Sequence, residues 1–219
     1  MLQPDRPLGM WTAAAAAGKD SGLAALLTEH ETAVRAASAA AVVIGASVVE
    51  SWAMRWSRRS GVPKVGAVND KGNAHGSGGG SRSLDPWYES LKKPWYHPPS
   101  WVFPTVWLPL KALQAGALFY LWGAPESGAQ EKALATAVYG VHLALGSWWN
   151  ALFFRKHRIR KSLYAMGGFY VTLAGAIAAF YRVEPMAAVL LAPTQAWVTI
   201  AALLNYQAFA LNPGADADA

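Results

Sequence analysis

From Trp101 onward the charged side chains gather in narrow bands, and the runs between bands reach about 20 uncharged residues or more. After Lys111 come Glu126, Glu131 and Lys132, then Arg155 to Lys161, then Arg182 and Glu184. A hydrocarbon core ~30 Å thick takes ~20 apolar residues per spanning helix. Few other environments accept chain so free of charge, so this spacing predicts membrane helices at about 101–122, 133–154, 162–181 and 185–211. A charged fraction of 15% against the usual ~25% agrees.

Upstream, a further apolar stretch over 34–56 carries Arg35 near one end and Glu50 near the other. Its small residues suit close packing in lipid. Trp52 and Trp56 precede Arg58 and Arg59 as an interfacial anchor would. It is read as a first transmembrane helix after a polar extension at 1–33, within which Asp20 or Ser21 is expected to cap a helix from near Gly22. Residues 57–86 are glycine-rich and aperiodic, and read as a flexible insertion outside the bilayer. Its Gly-Ser-Gly-Gly-Gly run lacks the lysine and preceding strand of a phosphate loop. The stretch from 213 to 219 reads as a disordered tail.

Basic residues set the orientation. Lys92, Lys93 and the other cations of the 57–100 segment, with the Arg155–Lys161 turn, outnumber the lone Lys132 and Arg182 of the alternate turns. Both basic loops and the C-terminus are therefore expected on one face. The net charge of +6 sits beside apolar helices, so the lipid bilayer, not nucleic acid, is the expected partner. There is no cysteine, which excludes thiolate chemistry. No paired carboxylates and no Ser/His/Asp arrangement support acid–base catalysis, and no catalytic or metal-ligating set is assigned.

Where the polar insertion gives way to the apolar half lies Trp-Tyr-Glu-Ser-Leu-Lys-Lys-Pro-Trp-Tyr-His-Pro-Pro-Ser-Trp-Val-Phe-Pro-Thr-Val-Trp, Trp87 to Trp107. Its prolines deny it internal hydrogen bonds, so it cannot lie in hydrocarbon uncovered. Residues 87–100 are read as a lid over the helix ends. Trp107 and Trp197 beneath it could stack on a flat apolar ligand. Pro109 and Pro193 are expected to kink their helices or open the backbone ladder. Lys111, well inside a helix, must snorkel, pair with an anion, or meet a carboxylated ligand; Glu50 is the candidate protein partner. His142 and Asn150 offer polar atoms to helix packing or to a ligand, a haem iron at His142 being one alternative although no second ligand lies near it in the sequence, and Asn205 to interhelical bonding.

These stretches, with His-Leu-Ala-Leu-Gly-Ser-Trp-Trp-Asn-Ala-Leu-Phe-Phe at 142–154 and Ala192 to Asn212, resemble the tryptophan-rich sensory protein family, also called the translocator protein or peripheral-type benzodiazepine receptor family. The resemblance covers about residues 84 to 212. It implies an all-α five-transmembrane-helix bundle, a homodimer, and a cavity under the first long loop. The implied ligands are porphyrins, protoporphyrin IX and haem, with sterol a weaker expectation and no obligatory cofactor. Binding positions carried over from the family are Trp87, Pro98, Pro99, Trp101, Trp107, His142, Gly146, Trp149, Pro193 and Trp197, with Pro94 supporting the lid. Lys111 joins them as a departure, standing where a tyrosine is usual. His142 and Gly146 depart too, replacing a glutamine and an asparagine. The implied role is a membrane receptor or carrier in tetrapyrrole transport, scavenging or stress response. Photo-oxidative porphyrin degradation by Trp107 and Trp197 is the alternative activity, and a scaffold with a vestigial cavity the third reading. Mitochondrial outer membrane, endoplasmic reticulum and plastid envelope all fit.

Overall fold

A computed structural model describes residues 9–57, 86–99, 101–125 and 127–216; side chains are described from 24 to 48 in the first helix. The insertion at 57–86 thus lies almost wholly outside the described residues. All regular structure among them is helical: α1 (Gly9–Ser57), α2 (Pro86–Ser90), α3 (Val102–Gly123), α4 (Ala129–Asn150), α5 (Ile159–Val183) and α6 (Pro185–Leu211). The chain of α4 runs on through a π-helical turn, Ala151–Arg155.

Among the described residues, four helices are long and apolar enough to cross a membrane: α3, α5, α6 and, within α1, Ala24–Val48. The fifth long helix, α4, misses on hydropathy because Tyr139, His142, Ser147, Trp148, Trp149 and Asn150 dilute its alanines and leucines. It begins at Ala129, earlier than the apolar run suggests, because the Glu131 carboxylate accepts the Gly128 N–H at 3.1 Å. No helix end falls at 20–22: α1 is continuous from Gly9, as the alanine-rich composition of its first turns favours.

The long helices form a ring. α1 packs on α3, α3 on α6, α6 on α5 and α5 on α4; α4 and its π turn return to α1. α3 and α4 barely touch. The core fills with Leu118, Leu121, Tyr139, Leu173, Phe180 and Leu191, each nearly inaccessible, together with Ala39 and Val43 of α1. The outward faces remain apolar, with Leu108, Val141, Val171, Val189 and Leu203 exposed. Such a surface is suited to lipid, not water.

Neither internal proline ends its helix. Both Pro109 and Pro193 lie on exposed faces within continuous α3 and α6. What each removes is one N–H of the ladder. α6 starts where Pro185 takes the first helical position and the Glu184 carboxylate accepts the Met186 N–H at 3.1 Å.

Among the described residues, the basic pair Lys92 and Lys93 of the lid and the basic turn at 155–161 share one end of the bundle. There Asn212 brackets the lid backbone, accepting the Lys92 N–H at 2.7 Å and donating to the Lys92 carbonyl at 3.0 Å. The segment Pro213–Asp216 is not free chain: Asp216 accepts the Arg160 N–H at 2.7 Å in the first turn of α5, where a carboxylate suits the helix dipole.

Candidate ligand-binding site

The weak α3–α4 contact leaves a cavity of about 370 Å³ inside the ring. On α3 its wall is Pro104, Trp107, Leu108 and Lys111, positions i, i+3, i+4 and i+7 of one helical face, with Gln114 below. The facing wall on α4 is His142, Leu143, Gly146, Trp149 and Asn150; Phe169 of α5 backs it and Ser47 of α1 closes the side.

Three rings of the α4–α5 wall lie nearly parallel. His142 stacks on Phe169 at 4.3 Å and 7°, and Trp149 is parallel to Phe169 at 6.5 Å and 3°. Gly146 lets Phe169 approach: a Cβ there would lie 2.7 Å from the ring edge. The His142 Nδ1 lies 3.0 Å from the Phe169 carbonyl oxygen, which only accepts, so Nδ1 carries the proton. Trp149 is held from its other edge, its indole N–H donating to Asn205 Oδ1 at 2.8 Å. Asn205 and the Ser162 hydroxyl lie within 3.0 Å of each other, so Asn205 serves helix packing.

Opposite stands Lys111, its ammonium 5.5 Å from the Trp107 ring centre, a cation–π arrangement one turn apart. Among the described residues no carboxylate pairs with it; the Glu50 side chain lies outside them. The floor is a buried chain of hydrogen bonds: the Tyr139 phenol donates to Gln114 Oε1 at 2.9 Å, and Gln114 Nε2 donates to Thr194 at 3.2 Å. These bonds tie α4, α3 and α6 together beneath the open space.

The lid covers this end differently from expectation. Trp87 opens the short helix α2 and stacks on His157 at 4.1 Å and 14°, with Phe153 edge-on at 5.6 Å. It seats the lid on the π turn and does not face the cavity. His157 presents its ring from a left-handed backbone (φ 52°) just past that turn, where extra residues per turn redirect the chain. Tyr88 and Leu91 are buried there. The Tyr88 hydroxyl lies 2.7 Å from His97 Nε2, Lys93 lies over the Tyr88 ring at 4.6 Å, and Lys93 pairs with Glu89 at 3.0 Å. Burial, with Glu89 adding to it, pushes the Tyr88 phenol up to about 12. Burial and then the Lys93 charge hold His97 below its usual value.

Trp107, Lys111, His142, Gly146 and Trp149 thus come together around one cavity; the other expected positions do not. Trp101 is 66% exposed at the start of α3, and Pro98 and Pro99 shape the lid without lining the space. Pro193 points outward. Trp197 is buried on the α3–α6 seam, edge-on to Phe103 at 5.8 Å. Ser47, Gln114 and Phe169 line the cavity and were not singled out. A glutamine in an apolar helix was the available signal for Gln114; the helical phase joining Phe169 to Gly146 exists only between helices.

The model of the TspO/MBR family matches residues 65–211. A tryptophan-rich sensory protein of Cereibacter sphaeroides is 34% identical over 58% of this chain and 78% of its own length. The protein CrtK of Rhodobacter capsulatus is 32% identical over 64% and 86%. The translocator protein of Sus scrofa is 33% identical over 70% and 87%. The lid and the cavity walls on α3, α4 and α5 fall inside the matched region, while α1, with the lining residue Ser47, precedes it. The chain is an integral membrane protein belonging to the TspO/MBR family.

Proposed function

We propose that all five long helices cross the bilayer and that the α3–α4 cavity binds a flat, carboxylated tetrapyrrole, protoporphyrin IX or haem, for transport, scavenging or stress sensing. The observation that carries this is the Lys111 ammonium, held in a cavity otherwise walled by Trp107, Trp149, Phe169 and His142. An ammonium that no carboxylate among the described residues pairs with is costly in a membrane helix, and a ligand with an apolar disc and a carboxylate rim answers both features. Aromatic faces take the macrocycle and Lys111 takes a propionate. A volume of about 370 Å³ is at the lower end for ligand sites, so the ring's outer edge extends towards the cavity mouth. A sterol would leave Lys111 unanswered and is disfavoured.

Photo-oxidative degradation is the weaker reading. It would use Trp107 and Trp197 on one ligand, and only Trp107 lines the cavity.

The test is a fluorescence titration of the detergent-solubilised chain with protoporphyrin IX and with its dimethyl ester. Saturable tryptophan quenching is expected, with the free acid favoured in the native chain and the preference abolished by Lys111→Leu. Quenching that does not saturate refutes the porphyrin reading; saturable quenching with no acid preference refutes the role of Lys111.

A further inference from the structure

We propose that His142 is an axial iron ligand, so that the cavity distinguishes an iron porphyrin from a metal-free one. The proposal rests on the tetrapyrrole reading above and adds the identity of the bound form.

His142 is 1% exposed yet lines the cavity. Its ring is immobilised on three sides: the stack on Phe169, the tilted stack on Tyr139 at 5.8 Å, and the Nδ1–H bond to the Phe169 carbonyl. That bond fixes the tautomer. In the neutral ring the lone pair is then on Nε2, the nitrogen that the Phe169 carbonyl does not hold. A backbone carbonyl holding Nδ1–H is the outer-shell arrangement found behind metal-bound histidines; it orients the ring and raises its basicity.

The rest of the wall decides which metal species fits. A bare divalent ion needs three or four protein ligands. Among the described residues no cluster of three histidines or carboxylates exists, and the cavity contains an ammonium. One imidazole beside a cation suits only a metal that brings its other ligands along. An iron porphyrin supplies four ring nitrogens, needs one axial donor, and presents carboxylates to Lys111. The ring would lie across the His142 plane, so its edges reach Trp107 on one side and Trp149 on the other.

The experiment titrates the full chain in detergent with ferric haem and, separately, with metal-free protoporphyrin IX. Wild type is expected to shift the haem Soret band to that of an imidazole-ligated iron. His142→Gln is expected to abolish that shift and to weaken haem by about tenfold or more, a much larger factor than the loss it causes for protoporphyrin IX as a wall residue; a still saturable protoporphyrin IX titration reports intact folding. In His142→Gly, added imidazole is expected to restore the Soret shift. Haem spectra and affinities that match in wild type and His142→Gln overturn the proposal, as does equal weakening of both porphyrins. Protoporphyrin IX binding without a haem shift overturns the iron ligand and leaves the tetrapyrrole reading standing. Absence of saturable binding by either porphyrin overturns both.

Discussion

Gly146→Ala places a methyl group against the best-defined wall of the cavity. The new Cβ would sit 2.7 Å from Phe169 Cε2 and 3.2 Å from Cδ2 and Cζ. Ordinary carbon contacts lie at about 3.5–4.0 Å, so the ring must retreat by about 1 Å. Its retreat is limited on one face by His142, which stacks on it at 4.3 Å, and any shift towards the cavity narrows the site. Overpacking of this kind costs about 1–3 kcal/mol. Replacing a mid-helix glycine by alanine returns up to about 1 kcal/mol. The net expectation is a loss of about 1 kcal/mol. Gly140 is the internal control: on the same helix, its added Cβ meets nothing within 4 Å. Gly140→Ala should therefore stabilise by about 0.5–1 kcal/mol. The assay is reversible unfolding in mixed micelles, repeated in a Phe169→Leu background, where the Gly146 penalty should shrink by about 1 kcal/mol or more. The reasoning fails if Gly146→Ala stabilises as Gly140→Ala does, or if its penalty is unchanged without the ring.

Three further outcomes are expected. Gln114→Leu strands the Tyr139 phenol and weakens the α3–α6 link, costing about 1–3 kcal/mol; the loss in a Tyr139→Phe background should be smaller, and equal losses refute the hydrogen-bonded floor. The lid is held by a neutral pair: His97 titrates below its usual ~6.5, so as pH falls from there the unlatched chain binds the proton first and latching weakens. Tyr88, at about 12, keeps its proton above pH ~10 where an exposed phenol loses it, so latching also weakens as pH rises from that point. Amide exchange of residues 88–97 should show both losses, the acid one vanishing in His97→Gln and the alkaline one in Tyr88→Phe. Arg35 occupies the space a Gly123 Cβ would take, which sets Arg35 level with the end of α3. In this cysteine-free chain, Leu27→Cys and Thr32→Cys should therefore react with an impermeant maleimide added on that side while Val43→Cys does not; protection at 27 and 32 refutes that register.

Much of the architecture was legible because bilayer and backbone physics act locally. Uncharged runs marked α5 and α6, a run broken only by Lys111 marked α3, and clustered arginine and lysine marked the shared end. The cavity was half legible. Trp107 and Lys111 share a face through helical spacing, as do His142, Gly146 and Trp149, and family likeness supplied most of them. What could not be read was phase between helices. Pro193 and Trp197 belong to α6, which turns their positions away from the α3–α4 gap. Trp87 was expected over the cavity, but its place depends on the π turn and the left-handed His157, whose sequence carries no glycine to announce it. Pro109 and Pro193 were expected to disturb their helices; facing outward, they cost one hydrogen bond each and no helical continuity.

The cavity exists because α3 and α4 are held apart while each is packed firmly elsewhere, α3 between α1 and α6, α4 against α5. Two bulky helices could close such a gap by leaning together. Here the Tyr139–Gln114 bond fixes their separation at the floor, and the covering helix α1 contacts both. Towards the lid, the opposing side chains are a tryptophan and a lysine on α3 but a glycine and a wall-bound histidine on α4. The width of the site is thus set on the α4 side, by Gly146 and the ring it admits, and its charge by Lys111 on the α3 side.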